Sequence, residues 1–163
     1  MTKAILLLFV FASLSFAGNT REFLSPDKKF KVIIENFNDS ETNLESKIRV
    51  VNSQGKLLVT HKYTSTDGEH GYCVIQAEWT SDSRFFIFCM VSSGGHQPWH
   101  IPTSVYSITD NKIFSIDDIY GPVTAASFRI VSSDSLETSI LTGDDHTGET
   151  IVIPLTTLSS ESR

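Results

Sequence analysis

The sequence predicts an all-β fold: an antiparallel up-and-down meander of about ten strands, with an open barrel or a sandwich as the alternative architectures. Three observations lead there. Beyond residue 17, no window repeats apolar residues at helical spacing over three turns. Short runs rich in Val, Ile, Phe and Thr are instead separated by clusters of Gly, Asn, Asp, Ser and Pro, the pattern of strands and turns. Tight and long connections between those runs also alternate along the chain.

The first residues, MTKAILLLFVFASLSFAGNT, stand apart. Lys3 supplies a positive start, Ala4 to Phe16 an apolar run, and Ser15 and Ala17 a small-residue cleavage site before Gly18. The expectation is a signal peptide over 1–17 and a single all-β domain over 18–163, exported to a periplasmic or extracellular space. The run is too short to span a membrane as a helix, which takes about 20 apolar residues. The formal net charge of −6 disfavours nucleic acid and anionic lipid as partners.

Strands are expected near 28–36, 46–52, 57–63, 72–79, 84–91, 103–109, 112–117, 125–131, 136–142 and 149–155. The centre is the pair YCVIQAEW and RFFIFCMV. In the second run Phe85, Ile87, Cys89 and Val91 share one face, while Phe86, Phe88 and Met90 load the other, so this strand is covered on both sides. In the first run strict alternation puts Cys73, Ile75, Ala77 and Trp79 on one face. A turn centred on Ser81 sets Cys73 opposite Cys89 and Ile75 opposite Ile87. The two cysteines are then candidates for a disulfide in an exported protein, the alternative being two small buried thiols.

A weak repeat runs through these strands. LSPDKKF, WTSDSRF and VSSDSLE align, with Asp27, Asp82 and Asp134 spaced by 55 and 52 residues. Inner turns follow at NSQGK and TDNK. The SPDKKF and WTSDSRFF stretches resemble the turn between the first two strands of a blade in a TolB-type or WD40-like β-propeller. The glycine that usually follows the Asp in that motif is Lys28 in one repeat and Ser83 in the next. The resemblance implies two or three blade-like units and a partner-binding role, and it transfers no catalytic residue. Propellers close with about four to eight blades, so an open fragment and an assembly of several chains are both compatible with the repeat.

The alternation of connections gives the chain a functional end. The tight turns fall at 53–56, 80–83, 109–112 and 132–135; the long connections are 37–45, 64–71, 92–102, 118–124 and 143–148. In an antiparallel meander, successive connections emerge at opposite ends, so every long loop emerges at one end. Long loops are where binding residues concentrate. That end collects His70, His96, His100 and His146, together with Trp99, Tyr120, Asp144 and Asp145. His61 sits inside a strand and reads as structural.

These residues are the candidate ligand-binding set. Trp99, flanked by prolines, offers a flat apolar surface for stacking, with Tyr120 nearby. His96, His100 and His146 with Asp144 or Asp145 suit a divalent transition metal by donor type. Gly94, Gly95, Pro98 and Pro102 forbid the helix that would set His96 and His100 on one face. The expectation is therefore no cofactor, with a metal as the alternative. No G-x-S-x-G elbow is present. The leading expectation is an exported, non-catalytic domain that binds a protein or small molecule at the long-loop end; the alternative is a metal- or carboxylate-dependent hydrolase there. Asn38, in the acceptor triplet NDS, is a glycosylation site only in a eukaryotic secretory pathway.

Overall fold

A computed structural model describes residues 19–36, 45–94, 99–142 and 147–158. They form eleven strands in three antiparallel sheets, none of them closed. The first sheet is β1 (Thr20–Leu24), β2 (Phe30–Glu35), β3 (Lys47–Asn52) and β4 (Leu57–Lys62). The second is β5 (Tyr72–Trp79), β6 (Phe85–Ser92), β7 (Thr103–Ser107) and β8 (Lys112–Ser115). The third is β9 (Arg129–Ser132), β10 (Ser135–Thr142) and β11 (Thr147–Pro154). Within each sheet, strands follow one another in chain order, so each unit is a meander resembling a blade. The all-β expectation holds. The chain breaks pairing after β4 and after β8 to begin a new layer, giving three blade-like units.

Two strips of apolar residues explain the layering. One face of the middle sheet carries Val74, Trp79, Phe86, Phe88, Met90 and Tyr106, packed with Val32, Ile34, Ile48 and Val50 of the first sheet. Its other face carries Phe85, Ile87, Cys89, Val105 and Phe114, packed with Leu136, Ile140 and Ile153 of the third. There are thus two cores, one on each side of the middle sheet. Each fully buried aliphatic or aromatic side chain contributes roughly 1.5–3 kcal/mol, and β6 and β7 bury nearly every residue.

The outward faces of the end sheets carry ion pairs among exposed aliphatic residues such as Leu24, Leu57 and Val152. In the first, Lys31 pairs with Glu22 at 2.9 Å, and Lys47 and Arg49 pair with Glu35 at 3.2 and 2.7 Å. In the third, Arg129 forms a two-pronged pair with Glu137 at 3.0 and 2.7 Å. Two side chains of β5 tie the layers together. The Trp79 indole N–H donates to the Phe23 carbonyl at 2.9 Å, and Gln76 exchanges two 3.1 Å bonds with the backbone of Phe128.

Strand β5 departs from strict alternation. Its register shifts between Val74 and Gln76, leaving Ile75 as a bulge. One extra residue in a strand flips all that follows to the other face. Ile75 therefore packs with the third-sheet core, while Ala77 and Trp79 join the first-sheet core. The expected cysteine pair fails for a different reason: Trp79 pairs with Phe86, so the turn is centred between Asp82 and Ser83 rather than on Ser81. Cys73 lies opposite Val91 and Cys89 opposite Gln76, and both are buried thiols with no disulfide between them. Burial pushes the Cys89 thiol up to about 12.

Two smaller differences follow from local sequence. Strand β1 was not expected, because TREFL sends only Phe23 inward. Residues 116–120, expected as the end of a strand and the start of a loop, form a short helix, α1 (Ile116–Tyr120). Ser115 starts it by accepting a bond from the Asp118 N–H at 3.1 Å.

A candidate ligand groove beside the long-loop end

The two ends of the sheets are built differently. At one end the repeated Asp organises tight turns. The Asp27 carboxylate accepts from the Ser25 hydroxyl at 2.7 Å and the Lys29 N–H at 3.0 Å. In the middle sheet Asp82 accepts from the Thr80 hydroxyl at 2.8 Å and the Arg84 N–H at 3.1 Å. The residue after each Asp is left-handed: Lys28 at φ 61° and Ser83 at φ 65°. These are the two positions where the blade motif usually has glycine, and the backbone shows why. The first turn also donates its Asp27 N–H to Ser83 Oγ at 3.0 Å, joining two sheets.

The long connections 63–71, 93–102 and 116–128 emerge at the other end, as alternation of antiparallel strands requires. Glu45 holds three of the loops together. This residue is only 8 % exposed. Its carboxylate accepts from the N–H groups of Ser65 and Gly71, both at 2.6 Å, and from the Ser93 hydroxyl at 3.0 Å. The Ser65 hydroxyl lies 2.5 Å from Glu45 and 2.8 Å from Asp67; with one proton it donates to one of them at a time. Burial pulls the Glu45 carboxyl upward, but the bonds from Ser65, Ser93 and Gly71 outweigh it, so the group lies below its ordinary value. A side chain at Gly71 has no room, since a Cβ there would stand 2.3 Å from the Tyr63 carbonyl and 2.4 Å from Glu45 Cδ.

A groove of about 640 Å³ opens between the first and middle sheets. Val59, His61 and Tyr63, alternate residues along and just past β4, form one wall. Tyr72, Met90 and Ile113 form the floor, and His100, Pro102, Asp117 and Asp118 the end nearest the long loops. The His61 and Tyr63 rings lie 4.4 Å apart. Tyr63 is pushed up to about 12 by burial, against a bond to Ser104 that acts the other way.

Asp117 fixes that end. Its carboxylate is 2.5 Å from His100 Nε2 and accepts the N–H groups of Thr103 at 2.8 Å and Val123 at 2.9 Å. It thereby ties the 93–102 loop to the segment after α1. The Trp99 ring stacks on His100 at 5.4 Å and 25°, and it is 52 % exposed. The surface carries this tryptophan without drawing it into either core.

The sequence candidates divide accordingly. His100 lines the groove and Trp99 stands beside it. His70 is exposed, paired to Asp67 at 2.5 Å in a separate turn. Tyr120 bonds Thr157 at 2.9 Å and packs against the third-sheet core. His96, Asp144, Asp145, His146 and Asn38 lie outside the described residues. Among the described residues no group of three His, Cys, Asp or Glu side chains is placed to hold a metal ion. His61, read from sequence as structural, is an exposed groove wall. Glu45, Ser65 and Ser93 were not singled out, because a lone acid and two serines in polar loops carry no pattern; only their convergence in space gives them a role.

Comparison by sequence returns no match to a protein family or to a curated protein. Among solved structures the chain is similar to TolB from Acinetobacter baumannii at 11% identity and a TM-score of 0.43, over 84% of this chain and 30% of that one. It is similar to Hsv2 of Kluyveromyces lactis at 14% identity and a TM-score of 0.43, over 85% and 47% of the two chains. A puromycin hydrolase matches at 12% identity and a TM-score of 0.32, over 83% and 27%. TolB and Hsv2 are β-propellers, and the likeness is weak. The chain spans less than half the length of each of these proteins.

Proposed function

We propose that this protein is a non-catalytic binding domain whose ligand occupies the groove between the first and middle sheets, with Trp99 and His100 at its mouth. The observation that carries the reading is the groove itself. It falls within the roughly 300–1,000 Å³ usual for ligand sites, joins an apolar floor to a few polar groups, and borders an exposed tryptophan.

Its chemistry favours binding over catalysis. His100 Nε2 is engaged by Asp117, whose carboxylate is further committed to two backbone N–H groups. Ser104 is bonded by the Tyr63 hydroxyl rather than by a base. The Cys89 thiol is buried and stays protonated near neutral pH. The proposal extends to export: residues 1–17 act as a signal peptide, giving a mature domain that begins at Gly18.

The test is a fragment library screened by ligand-observed NMR. Hits are expected with the wild-type protein and with His70→Ala, and their loss with His61→Trp, which fills the groove from its exposed wall. Hits that survive His61→Trp unchanged place binding elsewhere. The mass of the exported protein tests cleavage after Ala17.

A further inference from the structure

Resting on that reading, we infer that the groove selects an organic cation: an alkylammonium group carried on a small apolar stem. The sign of the charges that face the cavity and the nature of the walls between them favour that class of ligand.

The formal charges among the lining residues are Lys112, Asp117 and Asp118. Lys112 is a lining residue whose ammonium is drawn to the other face of the sheet. Alternate residues of a strand point to opposite faces, and Ile113 packs with the first-sheet core while Phe114 packs with the third-sheet core. Lys112 shares the face of Phe114, and its ammonium sits 5.0 Å above that ring. The cavity is left with two carboxylates at one end. Asp117 is held by His100 and two N–H groups, and Asp118 is exposed on the first turn of α1.

Between those acids and the far wall stand the rings of His61, Tyr63 and Tyr72, with Trp99 stacked on His100 at the mouth. Aromatic faces attract a cation through their quadrupole, by about 0.5–2 kcal/mol according to desolvation. Met90, Val59 and Ile113 accept the apolar stem. The whole chain, at −6, raises the local concentration of cations and repels anions. A neutral ligand of the same shape would gain the apolar floor but not the acids or the ring faces. An anion would meet the Asp118 carboxylate at the open end.

The experiment compares choline with neohexyl alcohol, its uncharged carbon isostere, following amide NMR shifts of the full mature protein. Choline is expected to shift groove residues and to bind about tenfold more tightly than the alcohol. Asp118→Asn and Tyr72→Leu should each weaken choline about threefold and leave the alcohol unchanged. Equal affinity for the two probes overturns the inference, as does choline binding indifferent to both variants, or groove amides that respond to neither probe. The fragment screen against His61→Trp judges the groove as a binding site independently, so a groove that takes fragments but does not prefer choline refutes the cation and leaves the site standing.

Discussion

Lys28 and Ser83 occupy equivalent turns, share a left-handed backbone, and should respond oppositely to glycine. A side chain at positive φ costs about 1–2 kcal/mol. Glycine removes that strain, but its unfolded chain has more freedom, which takes back about 0.4–1 kcal/mol. Lys28 is exposed, and its N–H bonds the Ser25 carbonyl at 2.8 Å, a bond that glycine keeps. Lys28→Gly should therefore stabilise the protein by about 0.5–1 kcal/mol. Ser83 is 5 % exposed and its hydroxyl accepts the Asp27 N–H at 3.0 Å. Ser83→Gly gains the same relief and loses that link between sheets, about 1 kcal/mol, so its net change is near zero or negative. Urea denaturation of both variants and the wild type, analysed with a common slope, reads the difference. In melting temperature it amounts to roughly 2–4 °C for a chain of this length. A Lys28→Gly protein less stable than wild type, or a Ser83→Gly protein stabilised as much as Lys28→Gly, would refute the reasoning.

Other expectations are equally direct. Gly71→Ala should destabilise by about 3 kcal/mol, since the new Cβ overlaps backbone at Tyr63; a thermal melt within 1–2 °C of wild type, about half a kcal/mol, would show that the loops give way freely. Glu45→Ala should cost about 2–3 kcal/mol by stranding the N–H groups of Ser65 and Gly71. Because the folded-state value of Glu45 lies below its ordinary 4.5, its contribution is fully present above that pH and is lost as pH falls through the lowered value. Glu45→Gln should flatten that acid limb of the stability curve, and an unchanged limb argues against the assignment. Thiol titration should find both Cys73 and Cys89 reactive in denaturant without reductant and slow in the native protein; a denatured protein with no reactive thiol would restore the disulfide.

Much of the fold was legible where side-chain alternation is strong. The faces of β6 came directly from RFFIFCMV, because successive residues meet opposite apolar layers. The break into three sheets was not legible. Connection length says where a chain reverses, but not whether the next strand pairs with the last or starts a new layer. The bulge at Ile75 was equally silent: it is set by how β5 must meet β6 and two cores at once, and it moved Trp79 to the other face, while a turn centred between Asp82 and Ser83 rather than on Ser81 separated the cysteines. In the candidate site, Trp99 was readable as an exposed ring among prolines. The groove was not, since its walls come from β4, the start of β5 and the segment after β8, which are distant in sequence.

The middle sheet lies between two apolar layers, while the end sheets each turn an ion-paired face to water. That asymmetry sets the order in which the molecule breathes. Either end sheet exposes one core when it opens, and the rest of the chain keeps the other. The middle sheet cannot open without giving up both. Amides of β6 and β7 should thus exchange with solvent only through global unfolding, whereas those of β1 and β11 exchange through smaller, more frequent openings. The groove lies on the boundary between a layer that opens easily and one that hardly opens, so an occupant bridging His61 and His100 would slow exchange in the first sheet far more than in the middle one.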